Sequence, residues 1–103
     1  MINIGDFNKD VKEGFGAYIY KSKNETKLYL GFWKKNSQSG LGKVYSKKSA
    51  RYGLFSEGER LKWFDNERIA FAQLDSNNTR YKKLFNLSFD ELLNKMSYNQ
   101  INK

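Results

Sequence analysis

Three groups of residues in this 103-residue chain carry types and spacings that chemistry could use. The first are the glycine pairs Gly14-Phe15-Gly16 and Gly40-Leu41-Gly42, spaced closely like phosphate-binding turns. Neither is followed by the third glycine and helix start of a dinucleotide fingerprint, so both read as strand glycines. The second group is acidic. Asp6, Asp10 and Glu13 lack the spacing of an EF-hand loop and read as a solvated turn. Asp90 and Glu91 fall where a helix would begin, and acids there complement the helix dipole without catalysis. The third group is basic. Lys34, Lys35, Lys43, Lys47, Lys48 and Arg51 are interleaved with Tyr29, Trp33, Tyr45 and Tyr52. Such a surface suits anionic lipid, single-stranded nucleic acid or an acidic protein groove, or consists simply of solvated turn lysines. Nucleic acid is disfavoured, because the rings that would stack bases are also needed for a core.

What is missing narrows the chemistry further. The chain has no His and no Cys. That removes Ser–His and Cys–His nucleophile systems, thiolate metal sites, disulfides and the usual pH switch. Carboxylate-only hydrolysis is formally open, but no metal or cofactor is expected and the chain reads as a non-enzyme. Its net charge is +8, with 13 basic and 7 acidic residues in 1–65. The excess therefore sits mainly in the N-terminal part and favours anionic partners. No apolar run approaches the roughly 20 residues of a membrane-spanning helix. The start, Met1-Ile2-Asn3-Ile4-Gly5-Asp6-Phe7, lacks the basic and apolar stretches of a signal peptide, so an intracellular location is expected.

The elements that must position these residues repeat along the chain. Gly31-Phe32-Trp33 is followed by Gly40-Leu41-Gly42, and Gly5-Asp6-Phe7 by Gly14-Phe15-Gly16, with the aromatic seven positions before the glycine pair in both. A third start stands at Gly53-Leu54-Phe55. In a strand over Leu28–Trp33, Tyr29, Gly31 and Trp33 share one face and Leu28, Leu30 and Phe32 the other. A recurrent strand glycine points to close approach of a ring or backbone. The polar stretches Lys21–Thr26 and Lys34–Ser39 read as turns, the first of them lengthened. Each unit is a hairpin, marginal alone and stable when stacked.

Tyr29-x-Gly31-x-Trp33, six residues, then Gly40-x-Gly42 resembles the MORN (membrane occupation and recognition nexus) repeat. The unit from Asn3 matches at Gly5, Phe7, Gly14 and Gly16, and the unit from Arg51 matches at Gly53 and Phe55 but lacks the later glycine pair. The resemblance covers residues 3–64 as units 3–28, 29–50 and a truncated 51–64. It implies a mainly β fold, an elongated antiparallel sheet of stacked hairpins with open edges. It also implies a scaffold in a cytoskeletal, ciliary or organellar assembly.

Residues 65–103 form a C-terminal extension. Arg68–Ala72 reads as one more strand, 68–72. Tyr81, Leu84 and Phe85 give a helical stripe over 79–86. Ser88 and Glu91 form a capping box that opens a helix over 88–97, with Phe89, Leu92, Leu93 and Met96 on one apolar face. So short a helix must dock, either on its own sheet or on a partner. The expected function is a protein–protein interaction scaffold with other subunits or a second copy as partners. Tyr29, Trp33, Tyr45, Tyr52 and Phe55 are the expected groove residues. The alternative is peripheral binding of acidic phospholipid through the six cations named above.

Overall fold

The computed structural model describes residues 12–101, with side chains described through Lys95. Five antiparallel strands form one open sheet in chain order: β1 (Gly14–Ser22), β2 (Glu25–Lys34), β3 (Ser37–Tyr45), β4 (Ala50–Ser56) and β5 (Glu59–Trp63). The mainly β class with a helical C-terminal segment is as expected. Gly5 and Phe7, on which the first repeat was read, lie outside the described residues.

The hairpin turns are tighter than the sequence suggested. Of Lys21–Thr26 only Lys23 and Asn24 turn, and of Lys34–Ser39 only Lys35 and Asn36. Both residues of each pair have positive φ: 53° and 65° in the first, 49° and 70° in the second. Glu57 and Gly58 repeat this at 51° and 85°. Turns with left-handed backbone at both central positions match the strand twist, so the polar flanks extend the ladders instead of forming a loop.

Alternation then sorts the side chains. Phe15, Ala17, Leu28, Leu30, Leu41, Tyr45 and Tyr52 form the main core on one face. The C-terminal segment covers that face. Tyr81 stacks on Phe15 with ring centroids 4.2 Å apart, Phe85 meets Phe15 edge-on at 5.3 Å, and Leu92 is fully buried in the same cluster. The helical segment therefore docks on its own sheet.

That segment departs from expectation at its start. Residues 68–72 are not a strand: helix α1 spans Glu67–Phe71. Asn66 caps it, its side chain accepting from the Ile69 amide at 2.9 Å. An apolar run as short as Ile69–Ala72 is ambiguous by pattern alone, and the cap decides it. The next stripe folds as a 3₁₀ turn (Thr79–Tyr81) leading into α2 (Lys82–Phe85). Helix α3 runs Phe89–Ile101, past the expected end at 97. Its capping box is formed: the Glu91 amide donates to Ser88 Oγ at 3.1 Å, and the Ser88 amide donates to Glu91 Oε1 at 3.0 Å. Those bonds hold the Glu91 carboxyl below the usual carboxylate range.

Candidate interaction surface

The second face of the sheet is built on glycine. Gly16 pairs with Gly31, Gly31 with Gly42 and Gly42 with Gly53, so four glycines cross four strands in one row. The row forms a trough, and the chain's own rings fill it. A Cβ on Gly42 would sit 2.6 Å from Tyr29 Cζ, and one on Gly53 would sit 3.1 Å from Trp63 Cε3. Tyr29, Trp33 and Phe55 form the small core of this face, with Tyr18, Tyr20 and Val44 packed around it. Tyr29 meets Trp33 and Phe55 edge-on, each at 5.1 Å. Its hydroxyl donates to the Phe32 carbonyl at 2.9 Å, and Trp33 Nε1 donates to the Gly16 carbonyl at 3.1 Å. Burial pushes the Tyr29 phenol far above its ordinary pKa.

The five expected groove residues therefore do not share a groove. Tyr29, Trp33 and Phe55 come together but are buried, at 0%, 6% and 7% exposure, and serve as filling for the glycine row. Tyr45 and Tyr52 lie on the opposite face, under the helical segment. The Tyr45 hydroxyl donates to the Leu87 carbonyl at 2.8 Å. The Phe85 carbonyl receives Lys43 Nζ at 2.7 Å, Tyr45 at 3.2 Å and Tyr52 at 3.5 Å. One carbonyl at a helix end thus collects three donors from β3 and β4, a polar clamp between sheet and helix. Burial raises both phenols, with Glu67 adding to the rise at Tyr52, and the same burial lowers the Lys43 amine. Strand parity explains the split. Positions 29, 33 and 55 alternate onto one face, and 45 and 52 onto the other.

The six cations are divided as well. Lys34 and Lys35 stand at the β2–β3 turn, and Lys47 and Lys48 follow β3 at its other end. A nine-residue strand such as β3 spans roughly 27 Å, so these pairs are distinct sites. Lys43 is held in the clamp. Arg51 lies on the glycine face, its guanidinium 4.4 Å from the Trp63 ring centroid.

Trp63, Arg60 and Leu61 escaped the sequence reading as surface residues. Arg60 stacks on Trp63 at 4.6 Å, as Arg51 does. Leu61 is the most exposed large apolar side chain described, at 59%. Trp63 reaches its glycine across the strand pair, opposite Gly53 and ten positions on, so no local spacing marks it. Lys12 completes the glycine face, its ammonium 5.7 Å from the Tyr18 ring and 5.9 Å from Trp33.

Among the described residues no three His, Cys, Asp or Glu side chains converge. Asp6 and Asp10 lie outside the described residues, and Glu13 is exposed. No described helix is long and apolar enough to cross a membrane. No known protein family, curated protein or solved structure matches this chain.

Proposed function

We propose that this chain is a non-catalytic protein–protein interaction scaffold, a small subunit of a larger intracellular assembly of cytoskeletal, ciliary or organellar kind. The MORN resemblance supplies the setting. The observation that supports the reading is the exposed margin of the sheet. Both faces are filled from within the chain, one by helices and one by the chain's own rings. At β5, Glu59, Arg60, Leu61 and Lys62 all remain exposed. Among the described residues β5 pairs only with β4. A filled face offers little apolar area to a partner, whereas an unpaired strand offers a row of backbone donors and acceptors.

The phospholipid reading is weaker because the six cations it names are divided: a membrane that meets Lys47 and Lys48 at one end of the sheet leaves Lys34 and Lys35 at the other, and Lys43 is held in the clamp. Anionic vesicles at physiological salt should therefore leave the protein in the supernatant. Sedimentation that is lost on Lys47→Glu with Lys48→Glu would reverse this preference.

The scaffold reading is tested by isolating the chain at its native level and sizing it by chromatography with light scattering. The expected result is co-elution with other subunits in fixed stoichiometry. A monomer free of associated protein overturns the reading.

A further inference from the structure

Strand β5 carries more than an edge left unpaired among the described residues. It is short and bulged against β4, the pairing slipping between Leu54 and Phe55. Shortness, bulges and charge are how proteins keep edges from indiscriminate pairing. On the two strands at this edge the charge is mainly basic, Arg51, Arg60 and Lys62 against Glu59, while Glu57, Asp65 and Glu67 stand in the flanking turn, loop and helix start. Arg51 and Arg60 both stack on Trp63, so two guanidinium groups share one ring on the surface of the sheet. The ring attracts each of them, but they repel one another, and a carboxylate placed between them would relieve that repulsion. The two large apolar side chains described as exposed are Leu61 on β5 and Ile69 on α1, the helix that follows it.

We propose that β5 is the docking edge for an extended acidic segment of a partner protein, added to the sheet as a sixth strand. The partner's backbone pairs with the free side of β5. Its carboxylates reach Arg51 and Arg60, and an apolar side chain covers Leu61. A second copy of this chain fits less well. Antiparallel self-pairing centred on Leu61 would set Arg60 opposite Lys62 of the other copy, and like charges directly opposed destabilise a sheet. This inference rests on the scaffold reading and adds the edge and the partner's chemistry to it.

The test uses the full chain labelled for amide NMR. The probe is a peptide of about eight residues alternating Glu and Val, compared with its counterpart bearing Lys for Glu. The expected result is shifts concentrated on Glu59–Trp63 with the acidic peptide only, weakening as salt rises. Arg51→Glu with Arg60→Glu should weaken binding by about tenfold or more, because a rim charge reversal repels the incoming acid. Arg51→Lys with Arg60→Lys, which keeps the charge, should retain most of it and so guards against a folding artefact. Shifts that avoid β5, an equal response to the basic peptide, or a concentration-dependent dimer with β5 amides protected overturns the inference. If β5 is silent while the native assembly still forms, the edge assignment falls and the scaffold reading stands. A native monomer removes both.

Discussion

Gly42→Ala should cost far more than a single methyl group suggests. The added Cβ would lie 2.6 Å from both Cζ and the hydroxyl oxygen of Tyr29, where 3.4 Å or more is ordinary contact. Cε2 of the same ring lies closer still, so the ring must move by about 1 Å or leave. Moving is difficult: Trp33 and Phe55 press edge-on at 5.1 Å, and the hydroxyl is tied to the Phe32 carbonyl at 2.9 Å. Forcing the overlap costs about 1–3 kcal/mol. Expelling the ring forfeits about 1.5–3 kcal/mol of burial and about 1 kcal/mol for the hydrogen bond. Alanine recovers roughly 0.5–1 kcal/mol of backbone entropy relative to glycine. The net expectation is a loss of about 2 kcal/mol, or a melting temperature lower by roughly 10 °C. Urea and thermal unfolding followed by circular dichroism measure it. Tyr29→Ala should cost about 3–5 kcal/mol by itself. With Tyr29→Ala already present, adding Gly42→Ala should cost almost nothing, a coupling of about 2 kcal/mol in the double-mutant cycle. A Gly42→Ala protein within about 0.5 kcal/mol of the parent, or additive effects in the cycle, would refute the ring-over-glycine account.

Three further outcomes follow from the helix-covered face and the buried phenols. Tyr45→Phe removes the bonds to the Leu87 and Phe85 carbonyls and should cost about 1–2 kcal/mol in urea unfolding, with faster amide exchange in α2. Ser88→Ala removes the Oγ acceptor of the capping box and should cost about 1 kcal/mol, read from the same unfolding curves. Stability should also fall in alkali. The Tyr29, Tyr45 and Tyr52 phenols are all held above their ordinary value of 10.0. The unfolded chain ionises first, so their contribution is complete below about pH 10 and drains away as pH rises toward the folded values. Lys43 works the other way, since its amine is held below 10.5 and its cost to the fold is relieved as pH rises to that value. Three phenols outweigh one amine, so the urea midpoint should decline as pH rises above about 10, with these phenols the last to ionise by absorbance.

How much of this was legible in the chain varies by element. The hairpin over Leu28–Gly42 was readable because alternation and glycine spacing are local signals. The capping box at Ser88 and Glu91 was readable for the same reason: both partners lie within one helical turn. Arg68–Ala72 was misread because its helix is decided by an Asn66 cap bond and by burial of Ala70 against the rest of the fold, neither of which a short apolar run encodes. The basic cluster was misread because proximity in sequence is not proximity along a hairpin. Lys35 and Lys47 are close in number yet stand at opposite ends of β3.

The sequence by itself determined the chemistry that is closed to this protein and the rhythm of its sheet. Missing His and Cys are facts of composition, and glycine and ring positions at strand spacing need only backbone geometry to acquire meaning. Tertiary structure alone decided what the rings do. Strand parity sends Tyr45 and Tyr52 beneath the helices and Tyr29, Trp33 and Phe55 over the glycine row, so residues that looked like a binding groove became two cores. Each strand pairing is set by contacts across the sheet, and those contacts left β5, with Leu61, Arg60 and Lys62, as an exposed margin. Exposure is a property of what the remaining chain covers, and no local pattern states it.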